Sequence, residues 1–169
     1  VAMNGKARIT GNQVIGSGGT LNGGGVYVGG VFTVADSPTV TGNKVGDAAN
    51  NVYLDDKYGR TITIGGALKG SVDSIGVTTK TEPSAAKIVI ATGSTTLNDG
   101  DAAKFKSDKD GYAVSVDKGS DTNQLVLTKT AVKHEHSWTY TIKEGTTNTI
   151  VATCNADGCT NADGGSVTI

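Results

Sequence analysis

The chain has 169 residues, enough for one domain or two small ones, yet only 36% of it is hydrophobic and 5% aromatic, which excludes a dense enzyme-like core throughout. Fifteen Lys and Arg against sixteen Asp and Glu give a net charge of −1, a balance that invites neither nucleic acid nor an acidic membrane. Glycine, at 25 residues, is far above its usual share of about 7% but lacks the collagen period, and no apolar run is long enough to span a membrane.

Read from the N-terminus, VAMNGKARITGNQV (Val1 to Val14) falls without a gap on FTVADSPTVTGNKV (Phe32 to Val45), 31 positions on, sharing Thr-Gly-Asn and the final Val. Around these copies lie three short alternating runs, Val26-Tyr27-Val28, Val31 to Val34 and Thr39-Val40-Thr41, parted by Gly, Asp, Ser and Pro. None is long enough to be an independent sheet, so the copies must stack. Asn51-Val52-Tyr53-Leu54 then repeats Gly25 to Val28, and Thr61 to Ile64 repeats Val31 to Val34, with Leu68, Val72, Ile75 and Val77 following at strand-like intervals. Order is kept while spacing drifts. The pattern predicts an all-β parallel β-helix, whose strands must align from coil to coil while the turns change length freely. The competing arrangement is an antiparallel sandwich of similar short strands. In the solenoid, Val26, Val28, Val52 and Leu54 point inward and Tyr27 and Tyr53 outward. Gly11-Asn12 and Gly42-Asn43 are assigned to corners, since both residue types tolerate left-handed backbone.

Residues 1–79 hold 17 of the 25 glycines and residues 80–133 only four, which places a boundary near Thr79. The second segment has strand candidates at Lys87 to Ala91, Tyr112 to Val116 and Gln124 to Thr128. One helix is predicted from Asn98-Asp99 through Phe105, with acidic residues at its start and lysines at its end to suit the helix dipole. An open solenoid end exposes unpaired strands, so 80–133 is read as a β-rich cap. From Lys133 the pattern changes again. Ser137 to Ile142 alternates, Glu144 to Thr147 turns and Thr149 to Cys154 returns, which makes a β-hairpin within a third segment, 134–169. Because Val1 matches Phe32 inside the repeat, the chain is expected to be a piece of a longer protein.

GGGVYVGGVFTVADSPTVTGN, NVYLDDKYGRTITIGGAL and SIGVTT resemble the right-handed parallel β-helix region of large secreted or cell-wall-attached surface proteins of Gram-positive gut bacteria. The similarity continues through DAAKFKSDKDGYAVSV and QLVLTKT to HEHSWTYTIKEGTTNTIVATCNADGC, which is similar to the small Ig-like module that follows such solenoids, so the resemblance covers nearly the whole chain. It implies a stalk or adhesin, extracellular or on the cell wall, with a host or dietary glycan, a surface protein or another copy as partner. Architecture is implied more strongly than activity, because parallel β-helices also serve lyases and phage tails.

The residues offer no catalytic set. Asp55-Asp56-Lys57-Tyr58 with Arg60 comes nearest to the carboxylate and cation clusters of β-helix lyases, yet neighbours in a strand alternate sides and Gly59 marks a turn, so a solvated corner is expected. The glycine run from Gly16 to Gly25 lacks the Lys-Ser or Lys-Thr pair and the following helix of a phosphate loop. A non-catalytic segment is therefore expected, with a carbohydrate-active β-helix enzyme fragment or a glycan-binding module as alternatives. In the glycan-binding reading Tyr27, Tyr53 and Tyr58 are stacking platforms, Tyr27 and Tyr53 being aligned by the repeat. A tyrosine ladder that merely covers the sheet is the other account.

Both histidines and both cysteines fall in the tail. His134 and His136 share a strand face, and a hairpin centred near Thr146 sets Trp138 opposite Cys154, which brings the imidazoles beside the Cys154 to Cys159 loop. Two imidazoles and two thiolates make a closed tetrahedral set, so His134, His136, Cys154 and Cys159 are candidate ligands of a structural zinc ion. A Cys154 to Cys159 disulfide, natural in an oxidising setting, is the competing outcome.

Overall fold

The computed structural model describes residues 1–16, 19–83, 86–119, 123–130, 138–145, 149–154 and 165–168. They fall into two compact units, Val1–Thr130 and Ala131–Ile169. Unit one is a stack of parallel coils. The first coil contains β1 (Ala2–Met3), β2 (Arg8–Thr10), β3 (Gln13–Val14) and β4 (Val26–Val28). The second contains β5 (Phe32–Asp36), β6 (Thr39–Thr41), β7 (Lys44–Val45), β8 (Ala48–Ala49) and β9 (Val52–Leu54). The third is built from β10 (Ile62–Leu68) and β11 (Ile75–Thr79). Parallel order continues beyond Thr79 with β12 (Ile88–Gly93), a short helix α1 (Asp99–Ala102) and β13 (Phe105–Ser107), and the unit ends in the hairpin of β14 (Tyr112–Val116) and β15 (Gln124–Lys129).

The repeat read in the sequence is the register of the stack. Ala2 pairs with Thr33, Arg8 with Thr39 and Gln13 with Lys44, all in parallel strands and all 31 residues apart. Val26, Tyr27 and Val28 pair with Val52, Tyr53 and Leu54, which rules out the antiparallel sandwich for the coils. The drift in spacing also has a structural cause. Strand β11 pairs with β6 through Ile75 and Val40, and with β9 through Val77 to Thr79 and Val52 to Leu54. One uninterrupted strand of the third coil therefore spans what the second coil builds in two pieces. Residues 42–51 between those pieces are an excursion, carrying the β7–β8 hairpin that stacks on β3.

Alternation drives the packing. Phe32, Val34, Ile62, Ile64 and Ala91 fill the inside of one sheet, and Val40, Ile75, Phe105, Val52, Leu54 and Val77 the inside of the other, all buried in one apolar cluster. Each of these side chains larger than alanine contributes roughly 1.5–3 kcal/mol on removal from water. Val28, Val52 and Leu54 are buried as the alternation requires and Val26 is partly so. The outward tyrosines differ from expectation: Tyr27 is 54% exposed, but Tyr53 only 5%. Tyr53 sits in the middle strand of a three-strand row, with Tyr27 on one side and Thr78 on the other, and those neighbours cover it.

At the corners the glycines, not the asparagines, take the left-handed backbone, with φ of 70° at Gly11 and 68° at Gly42. The asparagines after them form a ladder along the stack. Asn43, with no exposed surface, accepts from Asn12 N at 3.0 Å and Nδ2 at 2.9 Å, and donates to Ile9 O at 2.9 Å and Asn51 Oδ1 at 3.0 Å. Asn51 in turn donates through its backbone and its amide to Asp108, at 2.7 and 2.6 Å, and Thr78 Oγ1 donates to the same carboxylate at 2.8 Å. Asn51 fits because its rung neighbours on either side are Gly25 and Gly76. A Cβ on Gly25 would lie 2.7 Å from Asn43 Nδ2, and one on Gly76 would collide with Asn51 Nδ2 and Asp108 Oδ1.

The predicted helix is shorter than its sequence pattern. It begins as expected, with Asn98 Oδ1 accepting from Asp101 N at 3.3 Å and Asp101 Oδ2 accepting from Asn98 N at 3.0 Å, a reciprocal capping box. It stops at Ala102 because Phe105 is drawn into strand β13, where it pairs with Ile75 and is buried. A few residues' weak helical preference cannot outweigh burial of that ring. Strand β15 then pairs antiparallel with β12, changing the direction of the sheet at this end of the stack.

Close ion pairs tie this end down. Lys87 Nζ donates to both oxygens of Asp117, at 2.6 and 2.5 Å, and Lys109 and Tyr112 both donate to Glu82. The Lys87 ammonium, helped by Gly119 N–H, holds Asp117 below the usual carboxylate range, and Lys109 with Tyr112 does the same for Glu82. A carboxylate with a lowered folded-state pKa adds stability above its unfolded value, which is lost as pH falls through the folded value. The gap in urea midpoint between wild type and Lys87→Met should therefore be full at neutral pH and close as the pH drops below about 4. A gap that persists unchanged into acid would show that the pair does not set it.

In the second unit, β16 (Trp138–Ile142), β17 (Thr149–Cys154) and β18 (Gly165–Thr168) form a three-stranded antiparallel sheet. Trp138 pairs with Cys154 and Ile142 with Ile150, the register required by a hairpin centred near Thr146.

Candidate functional site

The outer face of the sheet formed by β4, β9 and β11 gathers the chemistry of the first unit. Residues two apart share a face, so Tyr27 and Gly29, Tyr53 and Asp55, and Thr78 and Lys80 form two adjacent rungs. In the first rung the rings of Tyr27 and Tyr53 stack with centroids 5.6 Å apart and planes inclined by 16°. In the second, Lys80 Nζ donates to Asp55 Oδ2 at 2.9 Å. The same ammonium stands 5.4 Å from the centre of the Tyr58 ring, which is presented by the 3-10 turn Asp56–Tyr58.

The expected solvated corner is present in the exposed Lys57, Tyr58 and Arg60 and the left-handed Gly59, but it does not extend to Asp55. Asp55 is 7% exposed, and Asp56 is engaged by the backbone N–H of Thr81 at 2.9 Å and by the Thr81 hydroxyl. Asp55 Oδ1 is buried without a hydrogen-bond partner among the described residues. Burial, then the charge of Asp55, pushes the Tyr53 phenol above its ordinary pKa, with Lys80 opposing. The hydrogen bond to Asp55 raises Lys80. A phenol and an ammonium held protonated in this way are donors at neutral pH, not bases.

Of the three predicted platform tyrosines, the fold thus joins Tyr27 to Tyr53 and reaches Tyr58 through Lys80. Tyr27 and Tyr58, at 54% and 68% exposure, carry the accessible ring surface. Tyr53 acts as the backing of Tyr27. Reading residue by residue missed the Asp55–Lys80 pair because the partners are 25 positions apart. The signal that finds it is the register itself, since Leu54 pairs with Thr79 and the next residues must therefore meet.

For the tail, His134, His136 and Cys159 lie outside the described residues, and Cys154 is placed only as the last residue of β17. Among the described residues no group of three or more His, Cys, Asp or Glu is placed to hold a metal ion. Likewise no described helix is long and apolar enough to cross a membrane. Comparison with known proteins returned no matching family model, curated protein or solved structure.

Proposed function

We propose that this chain is a non-catalytic structural and adhesive segment of a secreted or cell-wall-attached bacterial surface protein, with residues 134–169 as an Ig-like module that follows the solenoid in the chain. The observation that carries this reading is the hydrogen-bonded ladder Asn12, Asn43, Asn51 and Asp108, in which the buried Asn43 and Asn51 tie the second coil to the first and to the strand row of Asp108. Such an element builds length without needing a pocket. Incubation with polygalacturonate and other uronans is expected to release no new ends. Turnover that disappears in Asp55→Asn or Asp56→Asn, with the strand-dominated circular dichroism intact, would overturn it. The complete reading frame is expected to carry a secretion signal, a wall-sorting signal and further coils, and a frame with none of these removes the surface assignment.

The exposure of Tyr27 and Tyr58 beside a buried carboxylate favours a second reading, a glycan-binding face. Sugar rings stack on exposed aromatic faces, and Lys80 supplies a donor at the edge. A glycan array should then show signals that Tyr27→Ala and Tyr58→Ala remove. In the tail we propose His134, His136, Cys154 and Cys159 as structural zinc ligands. A mass two hydrogens low in the unreduced protein, with no bound metal, assigns Cys154 and Cys159 to a disulfide instead.

A further inference from the structure

On a corner away from the tyrosines, a groove of about 300 Å3 crosses three successive coils and is lined by Lys6, Arg8, Ser37, Thr39, Lys69 and Ser71. Its floor is built by the repeat. Gly5 and Asp36, 31 residues apart, both take left-handed backbone, with φ of 62° and 65°, and Gly5 N donates to Asp36 Oδ2 at 3.2 Å. Ser37 N and Thr39 N donate to Gly5 O and Ala7 O at 2.8 and 2.9 Å, and Lys69 N donates to Asp36 O at 2.6 Å. Successive coils thus place Lys6 and Arg8 on the first step, Ser37 and Thr39 on the second and Lys69 and Ser71 on the third, with Arg8 directly opposite Thr39.

The chain as a whole is nearly neutral, so three cations in one groove are a local concentration. Among the described residues, the ion pair made by these three is Lys69 with Asp36, at 3.5 Å between groups that are both substantially exposed, and such a pair neutralises little. Lys6 and Arg8 are exposed and have no carboxylate within ion-pair range among the described residues.

We propose that this groove binds an acidic polysaccharide laid across the coils. A guanidinium takes a carboxylate or sulfate with two parallel hydrogen bonds, and ammonium groups add unoriented charge on either side. The hydroxyls of Ser37, Thr39 and Ser71 match the hydroxyls of sugar rings between the acidic groups. Coils spaced by about 4.8 Å give cationic, hydroxyl and cationic steps in succession, which suits a polymer lying along the stack. Among the described residues no aromatic side chain lines the groove, so they offer no base-stacking platform of the kind single-stranded nucleic-acid binders use. This inference is independent of the stalk reading, since a stalk can carry the groove or lack it.

The test is affinity electrophoresis of the intact chain through gels holding polygalacturonate, dextran sulfate or neutral dextran. Retardation by at least one acidic polymer and none by dextran is expected, weakening as salt is raised. The exposed pair Lys6→Gln with Arg8→Gln should weaken that binding by about tenfold or more, whereas Lys44→Gln, outside the groove, should leave it unchanged. Absence of retardation at low salt overturns the proposal, as does equal weakening by Lys44→Gln. Tighter binding to a DNA fragment than to either acidic polysaccharide would overturn it as well, showing general attraction for polyanions.

Discussion

Replacing Asn43 with alanine is expected to cost about 3 kcal/mol of unfolding free energy, although the change removes no apolar surface, because it strands several buried polar groups together. The Asn43 amide donates to the Ile9 and Thr41 carbonyls and accepts from both nitrogen donors of Asn12, while the Asn51 oxygen, which it also reaches, keeps the Asn43 backbone N–H at 2.8 Å. With the side chain fully buried, water cannot replace these bonds without opening the stack. Asn12→Ala at the exposed end of the ladder should cost far less. A double-mutant cycle of Asn43 with Asn51 should give a coupling of about 0.5–3 kcal/mol, since the two share a bond and a network. Gly76→Ala should be destabilising by about 1–3 kcal/mol for the complementary reason, since its new methyl needs the space that Asn51 and Asp108 occupy. Urea denaturation decides all four. If Asn43→Ala costs no more than an exposed substitution, the ladder is not what holds coil to coil.

The second large effect is expected at the other end of the core. Phe105→Ala should cost about 3–5 kcal/mol, the usual range for emptying a buried aromatic site. Phe105 extends the inward row of Ile9, Val40 and Ile75, and Val40 and Ile75 have no exposed surface. Collapse into the resulting cavity is opposed by the parallel backbone pairing of β13 with β11 on the same rung. Lys106→Ala, at the exposed position next to it, should change stability by within about 0.5 kcal/mol. This contrast between adjacent positions is the signature of a strand. Comparable costs at Ala102 and Phe105 with a helical exchange-protection pattern through Lys106 would instead return the segment to the longer helix.

The order of the coils was legible in the sequence because in a parallel stack a residue's neighbour is its own counterpart one repeat on. Thr-Gly-Asn recurring after 31 residues is therefore already a statement of contact, and the pairing of Ile9 with Val40 follows from it, as does that of Tyr27 with Tyr53 from the repeated Val-Tyr. Alternation likewise assigned Val28, Val52 and Leu54 to the interior, since polar and apolar neighbours cannot share one face of a buried strand. What the tertiary structure alone decided lies where the repeat is broken. The excursion of residues 42–51 folds out of one coil and is absent from the next, which sets Asn51 against Asp108 across 57 positions and Asp55 against Lys80 across 25. No local pattern contains those distances, because the entropy cost of loop closure grows only slowly with length and so leaves loop length free to vary at small cost. Helix α1 ended at Ala102 for a related reason. The preference of a few residues for helix is worth tenths of a kcal/mol each, while the vacant place in the inward row beside Ile75 was worth a buried phenylalanine, and that place exists only once the coils have stacked.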